Sequence, residues 1–252
     1  MDKDLILSEM IQNNESCKIL NVDFGHEVIL RPSIVSDSLK DKLSPEDITS
    51  GMDSVNRQIS LSNLKTNLYS QCHNANCIAK DKCIFRSLPN GNTNADIMFV
   101  NKMPTEYEIG TMTSHSDTCG VFLTLILSKM NISRDSIYCT DMIKCNYQLD
   151  EQSFNECIKN YLDKEINYVL PKIIVCNGLS TLKACGKFSI LQDLPSNVAY
   201  GNIYDVKTSS GVSVKATAIY DLDTVLKKVG DDYNKCKGEL WTQLLSVSKS
   251  LQ

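Results

Sequence analysis

The sequence predicts an α/β fold with a central, mainly parallel sheet flanked by helices. Three observations carry that expectation. Strand-length segments recur at 97–100, 136–143 and 172–175, the first an unbroken apolar run as in strands buried on both faces. Longer segments with helical periodicity alternate with them, which is the pattern of βαβ units. Turn signals such as Asn90-Gly91-Asn92 and Ser209-Ser210-Gly211 punctuate the alternation.

The elements follow in order. Residues 1–20 form a short helix with Leu5, Ile6, Met10 and Ile11 on one face. Residues 18–31 alternate around Phe24-Gly25-His26 and read as two short strands and a turn. Ser44-Pro45-Glu46-Asp47 starts a helix, with proline at the first helical position. The strand 97–100 leads to an apolar helix over 120–130, then to the strand 136–143. An amphipathic helix spans 154–170, with Cys157, Ile158, Tyr161, Leu162, Ile166 and Val169 inward. A third strand covers 172–175 and a helix 179–185. Short strands lie within 198–220, and a closing helix over 239–251 carries Leu240, Leu244, Val247 and Leu251 on one stripe. The expected core is Ile97, Phe99, Ile137, Ile143, Ile173, Val175 and Val214. Open parallel sheets bind ligands beyond the carboxyl ends of their strands. Those ends fall at 101–105, 141–145, 176–178 and 218–221.

Composition narrows the function classes. With 252 residues, 42% of them hydrophobic, and a formal charge of −4, the chain can bury a core and is not wholly disordered. The acidic balance argues against coating nucleic acid by bulk charge, though not against a local basic groove. No apolar run approaches the ~18 residues of a membrane span. Met1-Asp2-Lys3-Asp4 has no basic, then apolar, leader pattern, so an intracellular protein is expected. In a reducing compartment, 11 cysteines point to metal or cluster ligation and to packing, not to a disulfide framework.

Several segments, in order, resemble the iron–sulfur branch (family 4) of the uracil-DNA glycosylase superfamily. The run from Gly91-Asn92 through Ala95-Asp96 to Val100 is similar to that branch's GNPxADIMFVG segment. The stretch from Tyr138 to Lys144-Cys145 is similar to its VYITNxVKC strand. Pro171-Lys172-Ile173-Ile174-Val175 with Gly178 is similar to its PxxIVxLG turn, and Trp241 with Leu244 and Val247 to its closing helix. The resemblance covers residues 72–251. It implies a three-layer αβα domain over 66–252, with residues 1–65 as an N-terminal extension.

The resemblance also implies a [4Fe–4S] cluster on four cysteines. Cys145 follows the strand and Cys157 lies on the next helix, matching two of the ligands. Counting back from Gly91-Asn92 puts Cys77 on the second ligand of an early pair and Asn74, which cannot serve, on the first. Cys72 takes that place, with Cys83 as the alternative; thiolates are the usual ligands of such clusters. Zinc is the other metal that four thiolates, or His73 with three, would accept. Cys119, Cys139, Cys176, Cys185 and Cys236 are expected as packing residues.

The family's catalytic positions are altered. Its GE[AG]PG loop is here Asn101-Lys102-Met103-Pro104-Thr105, so Lys102 stands at the glutamate, Met103 at a small residue and Thr105 at a glycine. His115 falls at the base-stacking aromatic, with Gly120 at the glycine opening the next helix. Asp141 replaces the base-reading asparagine. An ionised carboxylate only accepts hydrogen bonds, which suits an exocyclic amino group and not uracil O4; otherwise it is a solvated carboxylate at the sheet edge. Tyr220 and Asp221 stand where the family has a late His-Pro; the three histidines are His26, His73 and His115. The expectation is a glycosylase scaffold with degenerate excision chemistry. It would act as an accessory module contacting DNA, single-stranded DNA included, and a protein partner in a replication, repair or transcription complex. The alternative is an active DNA glycosylase of altered base preference using Asp141, His115 or Tyr220.

Overall fold

The computed structural model describes residues 45–70, 77–80, 82–83 and 85–251. The chain divides into two compact units, Met1–Asn63 and Leu64–Gln252. The helix and strands expected within residues 1–31 lie outside the described residues. Helix α1 (Pro45–Ser70) starts at the expected proline. No helix among the described residues is long and apolar enough to cross a membrane.

The larger unit is built on a seven-stranded sheet of the described residues. In chain order the strands are β1 (Asn90–Gly91), β2 (Ile97–Asn101), β3 (Tyr138–Asp141), β4 (Ile173–Asn177), β5 (Leu191–Gln192), β6 (Tyr204–Thr208) and β7 (Ser213–Ile219). Their spatial order is β1-β3-β2-β4-β7-β6-β5. The four central strands are parallel, with Phe99 in register with both Cys139 and Val175, and Val175 with Thr217. β1, β6 and β5 close the edges antiparallel. Every residue of β2, β3 and β4 is buried, because helices cover both faces.

The helices are α2 (Glu106–Thr111), α3 (Thr118–Lys129), α4 (Glu151–Cys157), α5 (Asp163–Val169), α6 (Leu179–Lys187), α7 (Leu222–Leu226) and α8 (Gly230–Lys249). A π turn, Ile158–Leu162, joins α4 to α5 without a break. On one face, Ile97, Phe99, Ile137, Ile173 and Val175 pack with Phe122, Leu123, Ile126 and Leu127 of α3, Leu222 and Val225 of α7, and Leu240, Leu244 and Val247 of α8. The alternate residues Met98, Val100, Ile174, Cys176, Ala216 and Ala218 point the other way. That face is covered by α6, whose Cys185 thiol hydrogen-bonds with Cys176, and by the buried stripe of α4–α5. The result is the expected three-layer α/β arrangement. All seven expected core residues are buried.

Several boundaries differ from the sequence reading, and one helix is new to it. The strand expected over 136–143 is only Tyr138–Asp141. A 3₁₀ turn at Arg134–Ser136 precedes it, and after Asp141 the chain leaves the ladder, with Met142 N–H donating to Asn101 O at 2.8 Å. The closing helix begins at Gly230, ahead of the apolar stripe. Its first turns are polar and solvated, with Asp231 and Asp232 at the positive end of the helix dipole. Helix α2 was not foreseen at all.

Gly120 fixes the start of α3. Asp117 caps it by accepting from Gly120 N–H at 3.0 Å, and a Cβ on Gly120 would lie 1.8 Å from the carbonyl oxygen of His115. That contact is backbone and cannot yield cheaply. Gly120→Ala is therefore expected to lower stability by roughly 1–3 kcal/mol, read as a lower urea midpoint with an unchanged slope.

Candidate functional site

Two polar centres sit at the carboxyl ends of the parallel strands and in the loop beyond β3. The first is a small cavity lined by Leu68, Arg86, Lys144, Leu149, Tyr161 and four cysteines: Cys77, Cys83, Cys145 and Cys157. All four cysteines are buried. Cys77 and Cys83 come from the segment before β1, Cys145 from the loop after β3, and Cys157 from the last position of α4. The structure thus brings together Cys77, Cys145, Cys157 and the alternative, Cys83; Cys72 lies outside the described residues. The Cys145 thiol is pulled down to about 7 by a hydrogen bond from Cys83, against the opposing effect of burial, with help from the Tyr147 backbone and the Arg86 guanidinium. The guanidinium is buried, its Nη2 donating to Cys83 O at 2.6 Å while Nε–H has no partner. Burial instead pushes Cys119 and Cys139 up to about 12, and a hydrogen bond with Cys185, then burial, pushes Cys176 well up. Cys145 is thus drawn toward thiolate, whereas Cys119, Cys139 and Cys176 are held as thiols.

Lys144 links this cavity to the second centre. Its ammonium lies 2.8 Å from Glu165 of α5 and donates to Thr140 Oγ1 at 2.5 Å and to Asp141 O at 2.8 Å. Both side chains of the ion pair are buried.

The second centre gathers Glu108, His115 and Asp141. One ligand-type atom from each lies within 4.8 Å of the other two. Glu108 is the N3 residue of α2 and reaches back to its N-cap, where Thr105 N–H and Oγ1 donate to Glu108 Oε2 at 2.7 and 3.0 Å. Its Oε1 accepts the His115 backbone N–H. His115 has a left-handed backbone, φ +54°, and its Nδ1 shares a hydrogen bond with Ser114 Oγ at 2.9 Å. Asp141 Oδ2 accepts from Ser87 Oγ at 2.7 Å. Beside them Asn177 Nδ2 donates to Asn101 Oδ1 at 2.7 Å, and Asn177 Oδ1 accepts Leu222 N–H, joining the ends of β2, β4 and α7.

Burial sets the charge of this cluster. Glu108 is raised to about 7 by desolvation and then by the neighbouring Asp141. Asp141 is also raised by burial, with Lys144 and Ser87 opposing. His115 is lowered to about 3 by burial and then by the Arg134 guanidinium, so its ring stays neutral.

The expected groove residues separate. Asp141 is only 1% exposed, so the solvated-carboxylate reading is corrected: Ser87, Ser114 and the loop over 142–144 enclose it. His115 is buried, its ring engaged by Ser114. Lys102 and Met103 face solvent and Pro104 is buried. Tyr220 donates its hydroxyl to Glu239 Oε2 at 2.5 Å, which pushes it up to about 12. Sequence reasoning missed Glu108, although Thr105-x-x-Glu108 is a capping-box signature before a helix.

The comparisons agree with this architecture. A family model described as the uracil DNA glycosylase superfamily matches residues 88–241. A type-4 uracil-DNA glycosylase of Archaeoglobus fulgidus is 27% identical over 54% of this chain and 69% of its own length. One from Sulfurisphaera tokodaii is 32% identical over 37% of this chain and 44% of its own. One from Saccharolobus solfataricus is 23% identical over 64% of this chain and 79% of its own.

Glu108 gives a pH signature. Its pKa rises on folding from 4.5 to about 7, so the native state binds the extra proton and stability falls as pH rises through that window. Glu108→Gln is expected to flatten the fall between those pH values, as measured by urea midpoints across pH.

Proposed function

Because this chain belongs to the uracil DNA glycosylase superfamily, we propose that it is a DNA-associated accessory module of a nucleic-acid-processing complex, built on a glycosylase scaffold whose excision chemistry is degenerate. The observation that carries this reading is the charge of the strand-end cluster. Base excision by this chemistry must stabilise an anion leaving the sugar. The buried groups at the strand ends are two acids pushed toward their neutral form and an imidazole held neutral, so none of them supplies a fixed positive charge. Tyr220, at the family's late histidine, has its proton committed to Glu239. The Lys144 ammonium is committed to Glu165. Residues 1–65, outside the family match, supply a surface for the protein partner. Lys102, exposed on the loop after β2, is suited to a phosphate contact.

The cysteine cavity fits an iron–sulfur cluster by its donor chemistry. Four sulfurs converge on it, Cys145 is drawn toward thiolate, and Arg86 and Lys144 add positive charge at its wall. Cys77, Cys145 and Cys157 would hold the group, with Cys72 or Cys83 as the fourth ligand. A bound cluster would cross-link the segment before β1, the loop after β3 and α4. Anaerobically purified protein is expected to be brown and iron-containing, and Cys157→Ser to lose the colour; a colourless zinc protein would overturn the iron assignment.

One observation favours a second reading, an active enzyme on a base with an exocyclic amino group: Asp141 Oδ1 is buried without a hydrogen-bond partner and could accept from such a group. Incubation with single-stranded DNA carrying uracil, hypoxanthine or modified pyrimidines, followed by alkali, separates the two. The accessory reading expects no strand scission and salt-sensitive DNA binding. Scission that disappears in Asp141→Ala would establish the enzyme instead.

A further inference from the structure

The cluster of Glu108, His115 and Asp141 has features that neither excision chemistry nor packing accounts for. Each member comes from a different place: the first turn of α2, the loop before α3, and the end of β3. All three side chains are more than nine-tenths buried. A carboxylate oxygen from each acid and a ring nitrogen of His115 lie within 4.8 Å of one another. Asp141 Oδ1 and His115 Nε2 have no hydrogen-bond partner. Buried polar atoms are normally paired, so two orphans in one cluster point to something that fills the space between them.

The other atoms of these side chains hold them in place. Glu108 is fixed at both oxygens by Thr105 and by the His115 backbone. Asp141 Oδ2 is held by Ser87, and His115 Nδ1 by Ser114. Ser114 Oγ lies 2.9 Å and Asn101 Nδ2 3.5 Å from His115 Nδ1. In the tautomer whose Nδ1–H donates to the closer Ser114 Oγ, Nε2 keeps its lone pair and is a ligand-type nitrogen, oriented as metal-binding imidazoles are by a partner on the other nitrogen. The nearest buried cation, Lys144, is already paired with Glu165. Lys144 thus only partly offsets Asp141, and Glu108 has no ion pair among the described residues.

We propose that Glu108, His115 and Asp141 form a binding site for a divalent metal ion at the carboxyl end of the sheet, distinct from the cysteine cavity. Two carboxylate oxygens and one imidazole nitrogen suit a hard to borderline first-row ion of the manganese kind, whereas the cysteine cavity suits soft, thiolate-bound metals. An ion here would neutralise both carboxylates and supply the missing partner of Oδ1 and Nε2. The site stands on its own geometry and holds whether or not the chain excises a base.

The test is a titration of the full chain with Mn²⁺, followed by the loss of the free-ion electron paramagnetic resonance signal and by the thermal midpoint. Manganese is chosen because thiolates compete for it poorly. One ion per chain is expected, with a rise in the midpoint. Asp141→Asn keeps the shape and removes the charge, and should weaken binding by about tenfold or more. His115→Gln should do the same, and decides the matter if Asp141→Asn fails to fold. Asp96→Asn, at a solvent-exposed surface ion pair, should bind as the parent does. Absence of stoichiometric binding by the folded parent, or binding that His115→Gln leaves unchanged, would overturn the proposal and leave water as the occupant.

Discussion

Lys144 carries its ammonium into the interior, 2.8 Å from Glu165, and spends its three donors on Glu165, Thr140 and the Asp141 carbonyl. Burying two charges is worthwhile only when each is fully paired, and removing one partner of such a pair costs roughly 3–5 kcal/mol. The pair ties the end of β3, the loop that follows it and α5 into one unit. On one side Lys144 lines the cysteine cavity. On the other it moderates the Asp141 carboxylate. Both polar centres inherit their geometry from this ion pair, and neither could shift without breaking it.

The two centres illustrate opposite uses of burial. In the cysteine cavity, hydrogen bonding and a guanidinium outweigh desolvation and draw a thiol toward its anion. At the strand ends desolvation prevails, raising two acids and lowering a histidine. A fold can therefore keep its sheet, its cavity and its loop positions while the chemical character of one end changes. The family match over residues 88–241 reports the shared scaffold, and a scaffold does not by itself fix the chemistry at its strand ends.

Much of the scaffold was legible from sequence: β3, with Thr140 and Asp141, from its place in the alternation, and β2 and β4 because both their faces are covered, so residues 97–100 and 173–176 are apolar without interruption. The stripe from Cys157 to Val169 was legible for the same reason. The start of α8 was not, because its first turns face water and carry no apolar period. The cysteines could be sorted by motif spacing, but the meeting of Cys83 with Cys145 depends on how the loop before β1 folds. The positions of His115 and Asp141 were readable, yet their burial was not. It arises from Ser87, far away in the sequence, and from Ser114 and Glu108, whose place beside Asp141 is set by the fold and not by any local pattern. Glu108 itself was hidden inside a short helix whose only mark is a capping box.

The π turn at Ile158–Leu162 has a consequence for aim. Cys157 and Glu165 are eight residues apart and must both face the loop after β3, one toward the cysteine cavity and the other toward Lys144. In a uniform α-helix eight steps overshoot two full turns by about 80°, which would swing the carboxylate away from the thiol's bearing. A wider turn advances less per residue and takes back that excess. The helix acts as a phase corrector. Its irregularity lets one rod offer a sulfur to the cysteine cavity and a carboxylate to Lys144, both beside the same loop.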